Sequence, residues 1–422
     1  STSNHTITAN GDIHQTTFSP YRHGGYSAYF DGTGDVITVT EASSSFTFGT
    51  GDYTYEAWIY PTGSGQQTIF GRASTGNVAV PYIYLVSGSN LLSVYYSSTI
   101  VTSSGAIPTN AWTHIAVSRE SGTTKIFING TLDGSASDST NLVSPNTFVT
   151  IGGSGSGASN AFTGYISDVR IVKGTAVYTS NFTAPTERLT AITNTQLLTC
   201  HLPYFVDGST TGHSIAVNGN TGTKPFAPYD GQEYAAADHG GSLHSDGSGD
   251  YLVVDASSDF DLGTSDFTIE GWVYPTSYGN ANFLVGQNYF SSIVQINSGK
   301  LQFYSSPASA YIITAATDIP LNAWTHWAVV RNGNAWTIYL NGKSDATATN
   351  AADAGFDSTN PLHIMRWNNS NGTIAGNVAD LRFVKGTAVY TSNFTPPTAP
   401  LSAITNTKLL VQSTDAGIID KA

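Results

Sequence analysis

Short runs of alternating apolar and polar residues fill this chain, and turn residues interrupt them roughly every 8 to 12 positions, the spacing of a sandwich or barrel. The turns include Asp31-Gly32, Gly34-Asp35, Gly49, Pro61, Gly88, Asn129-Gly130, Gly152-Gly153 and Gly164. No window sustains a helical period. Between Tyr53 and Tyr60, the residues Tyr53, Tyr55, Ala57 and Ile59 share one face, while Thr54, Glu56, Trp58 and Tyr60 share the other. That is the alternation of a strand with one face in the core, and the first set reads as the core face. Phe267, Ile269, Gly271 and Val273 repeat that face, set against Thr268, Glu270, Trp272 and Tyr274. Asn129-Gly130 and Asn341-Gly342 supply the pair best suited to φ > 0 at both central positions of a two-residue hairpin. Ile107-Pro108 and Ile319-Pro320 break the chain just before a further strand-like run, where the missing N–H of proline costs least. The pattern predicts an all-β protein of antiparallel sheets packed in pairs.

The same pattern occurs twice. Val172 to Thr183, VKGTAVYTSNFT, recurs unchanged at Val384 to Thr395, an offset of 212 (384 − 172). Ala111-Trp112-Thr113-His114 answers Ala323-Trp324-Thr325-His326, and Asp168 answers Asp380, at the same offset. Nearer the amino end the offset drifts: Asp31 and Asp35 answer Asp246 and Asp250 at 215 (246 − 31), and Asn10-Gly11 answers Asn218-Gly219 at 208 (218 − 10). A period this long marks a domain and not a solenoid repeat. We expect two tandem β-sandwich domains, residues 1–207 and 208–422, joined near Cys200 to Thr211 by a strand-like connection. Ser1-Thr2-Ser3-Asn4-His5 resembles Ser209-Thr210-Thr211-Gly212-His213, and Leu409 to Asp420 answers the run before Ser209. Either the chain is an excerpt of a longer string of repeats, which this reading favours, or the terminal strand of each unit pairs across a boundary.

Composition narrows the function classes. Only 11% of residues are charged, where about 25% is usual, so hydroxyls and amides must hydrate the surface, as in β-rich extracellular or particle-borne proteins and equally in a low-charge secreted enzyme. The formal charge is -13, and the 16 Lys and Arg residues form no cluster, which argues against nucleic-acid binding. A single cysteine, Cys200, rules out an internal disulfide framework and a Cys-based zinc site. No apolar run approaches the length of about 20 residues that a membrane span needs.

Taken in order, Tyr29-Phe30-Asp31-Gly32 with Gly34-Asp35, Tyr55-Glu56-Ala57-Trp58-Ile59, Ala111 to Val117, Ile126 to Gly130 and Gly164 to Arg170 resemble the concanavalin A-like jelly rolls of laminin-G type. Both halves carry the set, so the resemblance covers nearly the whole chain. Lys173-Gly174-Thr175-Ala176-Val177-Tyr178 through Asn181-Phe182-Thr183 is similar to the version of this domain frequent in large bacteriophage proteins. The resemblance implies a jelly-roll fold and a binding or structural role more often than an enzymatic one, although some relatives hydrolyse polysaccharides.

Candidate chemistry is sparse. Glycoside hydrolysis needs two carboxylates about 5 to 10 Å apart, and Glu56 and Glu270 are the only acids on their strands. No catalytic residue is assigned. Asp31-Gly-Thr-Gly-Asp35 and Asp246-Gly-Ser-Gly-Asp250 are either ordinary turns or calcium loops, with Asp168 and Asp380 approaching from a later strand as in calcium-binding relatives. Glu56 with Trp58, and Glu270 with Trp272, offer a stacking plane and an acceptor to a carbohydrate, or else the tryptophans fill the space between sheets. Tyr82, Tyr84, Tyr95 and Tyr96, and Tyr304 with Tyr311, are candidates to line a groove or an interface. His114 and His326 read as core histidines, and the repeated 12-residue segment, which has no acid, base or nucleophile with a partner, reads as a structural strap. The expectation is a non-enzymatic virion or cell-surface structural or adhesion protein displaying two modules. The alternative is a secreted carbohydrate-binding module, with or without calcium. The expected partners are other virion or surface proteins, glycans, or a second copy in a homo-oligomer.

Overall fold

The computed structural model describes residues 5–21, 24–40, 44–72, 81–143, 148–155, 158–229, 235–279, 282–287, 292–367, 372–414 and 417–422. The chain divides into two compact units, a first unit of His23–Gln232 and a second of Ser1–Arg22 with Glu233–Ala422. This differs from a simple division at residue 207. Ser214–Asn218 turns back to pair with Val36–Thr40 of the first unit, and Ile7–Asn10 pairs with Tyr251–Val254 of the second. Each pairing gives an edge strand a partner, which relieves an exposed row of N–H and C=O groups.

Each unit is a pair of antiparallel sheets. In the first unit, one sheet runs in the order Thr131–Ser137, Thr123–Ile128, Thr113–Glu120, Tyr53–Pro61, Thr163–Lys173, Ser27–Asp31, Gly222–Lys224, with Thr195–Thr199 also on Thr163–Lys173. The other runs Ser214–Asn218, Val36–Thr40, Phe148–Ile151, Gln67–Arg72, Tyr82–Leu85, Leu91–Tyr95, Thr99–Ala106. The second unit repeats both orders, with Ile7–Asn10 in the place of Ser214–Asn218 and His14–Thr16 in the place of Gly222–Lys224.

The core lies between the sheets where the alternation places it. Tyr53, Tyr55, Ala57 and Ile59 pack with Ile115, Val117, Ile126, Ile166 and Ile171 in the first unit. Phe267, Ile269 and Val273 do the same with Trp327, Val329, Ile338 and Phe383 in the second. Asn129 and Gly130 have φ of 48° and 78°, and the flanking residues Ile128 and Thr131 are paired, so the two-residue hairpin forms as its sequence requires.

Candidate functional site

Three constellations concentrate the chemistry of the chain, beginning with the outer face of the Tyr53–Pro61 strand. The side chain of Glu56 is fully buried. It accepts from Arg170 Nε at 2.8 Å and from the Tyr178 hydroxyl at 2.7 Å, with His114 Nε2 3.3 Å away. Burial opposes ionisation of Glu56, but the His114 hydrogen bond and the Arg170 charge outweigh it and hold the carboxyl below its ordinary range. Glu270, Arg382, Tyr390 and His326 repeat the arrangement, and Glu270 is lowered for the same balance of causes.

The repeated 12-residue segment covers this ion pair. Tyr178 and Phe182 stack at 3.7 Å and Tyr390 and Phe394 at 3.6 Å. The Phe182 N–H donates to Gly130 O, Val177 N–H donates to Thr54 Oγ1, and Asn181 Oδ1 accepts from Leu132 N. A β-carbon on Gly130 would run into the Phe182 carbonyl, which is why the turn needs glycine as well as φ > 0. Glu56 and Glu270 therefore have no oxygen facing solvent, and Trp272 is buried with them. One of the two readings of the alternation put these three residues, with Trp58, on a sugar-facing surface; in the structure the strap covers Glu56 and Glu270, while Tyr229 and Tyr21 pack edge-on against Trp58 and Trp272. His114 and His326 are fully buried, as core histidines should be.

The second constellation is the pair of acidic loops. Thr163 pairs with Asp31 and Ala375 with Asp246, so Asp168 and Asp380 lie five residues further along their strands, about 16 Å away at the rise of a strand. They do not join the loops. Asp168 is buried and accepts from Leu189 N at 2.6 Å and Ser167 Oγ at 2.8 Å; desolvation pushes its pKa up to about 6. Asp380 is also raised by burial, and it accepts from the Tyr21 hydroxyl, Leu401 N and Gln412 Nε2.

In the second unit Asp246 and Asp250 are brought together with a third acid, Asp12, their carboxylate oxygens within 4.8 Å of one another. Asp250 Oδ2 accepts from Asp246 N, while Oδ1 accepts from Asp12 N at 2.8 Å. The hydrogen bond shared with Asp250 and the repulsion of its charge raise Asp12; burial raises Asp250 too, but the bond from Asp12 and the backbone donors outweigh it and leave Asp250 lowered. Oxygen donors of this kind suit a hard cation such as calcium, which takes six to eight ligands, so carbonyls or waters would complete the shell. The first unit has Asn220 where the second has Asp12. Asn220 Nδ2 donates to Asp31 Oδ2 at 3.0 Å and its N–H donates to Asp35 Oδ1 at 2.8 Å, so a neutral amide occupies the place of the third charge. Asp12 was legible only as the residue that follows Asn10-Gly11, the counterpart of Asn218-Gly219.

The third constellation is a cleft of about 220 Å³ in the first unit, lined by Gln66, Tyr82, Tyr84, Tyr95, Ser154, Ser159 and Asn160. Its floor is the outer face of the Tyr82–Leu85 and Leu91–Tyr95 strands, whose other face, Ile83, Leu85, Leu92 and Val94, is in the core. Tyr82 and Tyr84 stack at 4.9 Å and 24°, and Tyr95 meets Tyr82 edge-on at 6.5 Å. Thr68 Oγ1 lies 2.9 Å from the Tyr82 hydroxyl and Asn160 Nδ2 donates to it at 3.5 Å, which fixes that ring as a wall. Tyr96 points the other way, into the core beside Tyr53 and Asp138. In the second unit Tyr304 and Tyr311 meet edge-on at 5.3 Å, and Gln295 Nε2 donates to both Tyr311 and Gln302. Three aromatic walls with convergent amide and hydroxyl groups give the first unit a surface that is apolar in its faces and polar at its rim.

A family model described as the concanavalin A-like lectin/glucanases superfamily matches residues 31–181 and 246–388. Among solved structures, mouse laminin alpha1 chain domains LG4-5 are similar, at 12% identity over 92% of this chain and 97% of that one, with a TM-score of 0.32. Domain 4 of the extracellular arabinanase AbnA from Geobacillus stearothermophilus, solved with arabinotriose, is similar at 24% identity over 40% of this chain and 82% of that one, with a TM-score of 0.29. The pentraxin of Limulus polyphemus is similar at 12% identity over 46% and 95%, with a TM-score of 0.28. No curated protein matches the sequence.

Proposed function

This chain belongs to the concanavalin A-like lectin/glucanases superfamily through both of its units, and from that premise we propose that it is a non-enzymatic adhesion protein of a virion or cell surface that binds glycan through the tyrosine cleft of the first unit. The cleft is the observation that carries the reading. Half-buried Tyr84, backed by the buried Tyr82 ring it stacks on, offers a face to the apolar side of a sugar ring, and Gln66, Ser154, Ser159 and Asn160 offer donors and acceptors to its hydroxyls. No carboxylate lines the cleft among the described residues, whereas hydrolysis of a glycosidic bond calls for two. The fully buried Glu56 and Glu270 are ion-paired beneath the strap, which supports binding without turnover. The virion part of the reading rests on the resemblance of the 12-residue segment to bacteriophage domains. The test is a glycan array followed by incubation of each polysaccharide hit with the protein. Saturable binding to a restricted set, with no new reducing ends, is the expected result; flat binding to every glycan, or release of reducing ends, overturns it.

A further inference from the structure

Each unit is completed by one closing segment of the same design, yet the two segments enter from opposite directions along the chain. Residues 213–229 close the unit they follow. Residues 5–21 close a unit whose remaining residues begin only at Glu233. The two sockets share their strand pairing, one backbone hydrogen bond and their aromatic contacts, and differ in that the Tyr21 hydroxyl donates to Asp380 and in Asp12 standing where the first unit has Asn220. Ile7–Asn10 pairs antiparallel with Tyr251–Val254 so that Asn10 faces Tyr251; Ser214–Asn218 pairs with Val36–Thr40 so that Asn218 faces Val36. Asp12 N donates to Asp250 Oδ1 and Asn220 N to Asp35 Oδ1, both at 2.8 Å. Phe18 packs on Tyr274 at 4.8 Å and Trp324 at 5.2 Å, as Phe226 packs on Tyr60 at 5.0 Å and Trp112 at 5.3 Å. Tyr21 meets Trp272 edge-on, and Tyr229 meets Trp58 edge-on, both at 6.0 Å.

Recognition therefore resides in the segment and its socket, and not in the covalent connection between them. Ile7–Asn10 and His14–Thr16 are both edge strands, so release of residues 5–21 breaks one ladder in each sheet and no strand loses both neighbours. The four residues of Ile7–Asn10 are partly or fully exposed, and the anchors of residues 5–21 are Ile13 in the core and the aromatics Phe18 and Tyr21. We propose that the socket of residues 233–422 accepts residues 5–21 of a second copy of this chain, so that copies link by strand exchange. The contacts made in cis and in trans are the same. The balance is set by the protein concentration against the effective concentration of the tethered segment. The inference is independent of the glycan reading.

Thr8 and Val253 are register partners, Thr8 exposed and Val253 half-buried, and the native Cys200 is buried and does not compete. The experiment uses full-length Thr8→Cys in one preparation and Val253→Cys in another, mixed under oxidising exchange at rising concentration. The expected result is a heterodisulfide dimer that increases with concentration and is suppressed by excess synthetic peptide spanning residues 5–21. A chain carrying both substitutions shows that the two cysteines can meet. If that chain closes on itself while the mixture yields no more dimer than Thr8→Cys mixed with Lys343→Cys, the inference is overturned. Light scattering on the unsubstituted chain decides independently. Mass rising with concentration supports exchange, and a strictly monomeric mass across the same range contradicts it.

Discussion

Three buried or clustered acids carry most of what is testable at the scale of single residues. Glu56 neutralises Arg170 in a site closed to water, and removing one partner of a buried pair leaves the other uncompensated. Glu56→Gln keeps the shape and removes the charge, so chemical denaturation of the first unit should show a loss of about 3–5 kcal/mol. Asp168 behaves in the opposite sense. Its folded pKa of about 6 lies above the ordinary 3.8, so the folded state binds the proton more tightly than the unfolded chain. Its contribution is complete below the unfolded value and is lost as pH rises through about 6, a decline of about 3 kcal/mol for a shift of about two units. Asp168→Asn should flatten that decline in a series of denaturation curves between pH 4 and 7, and a parallel profile for the two proteins would contradict the assignment. Asp12 is raised by its acidic neighbours, and the first unit meets the same crowding with Asn220. Asp12→Asn in chelator should raise Tm at pH 7, with the advantage vanishing as pH falls through the raised pKa. The same pair of proteins tests the calcium expectation: a calcium-dependent rise in Tm confined to the parent supports it, and none sets it aside.

At the scale of elements, the sequence exposes what obeys a period and hides what depends on a covering segment. The alternation in Tyr53–Tyr60 placed Tyr53, Tyr55, Ala57 and Ile59 in the core correctly, because only one face can be buried between two sheets. It could not tell that Glu56, on the opposite face, lies under a strap contributed more than a hundred residues later, with Trp58 beside it meeting Tyr229 of the closing segment. The strap itself was legible as structural because its residues have no catalytic partner. Its identity in both copies now has a physical basis in the Tyr178–Phe182 stack, the bond from Tyr178 to Glu56 and the bond from Phe182 to the Gly130 turn. Tyr82, Tyr84 and Tyr95 were read as lining either a groove or an interface, without a regular spacing to decide, and Tyr96 was grouped with them although neighbouring strand residues point to opposite faces. Gln66, Ser154, Ser159 and Asn160 carried no signal, since loops meet a sheet at positions that no local pattern fixes.

For the whole molecule, duplication was plain in the sequence, but the assignment of the closing segments was not. Residues 5–21 and 213–229 share one pattern, and nothing local says which core each completes. The structure gives the first unit a tyrosine cleft, and in the second Tyr304 meets Tyr311 edge-on while Gln295 ties the Tyr311 hydroxyl to Gln302, so the tyrosines of the two copies are arranged differently. On the proposed reading glycan binding belongs to the first unit, and avidity would then come from linking copies. The most direct measurement is calorimetric titration of the strongest array glycan into the parent protein and into Tyr84→Ala, with circular dichroism confirming that both are folded. Truncating a central aromatic anchor is worth about 2 kcal/mol or more, so the variant should bind about 30-fold more weakly or not at all. Equal affinity in the two proteins would contradict the assignment of the cleft as the glycan site.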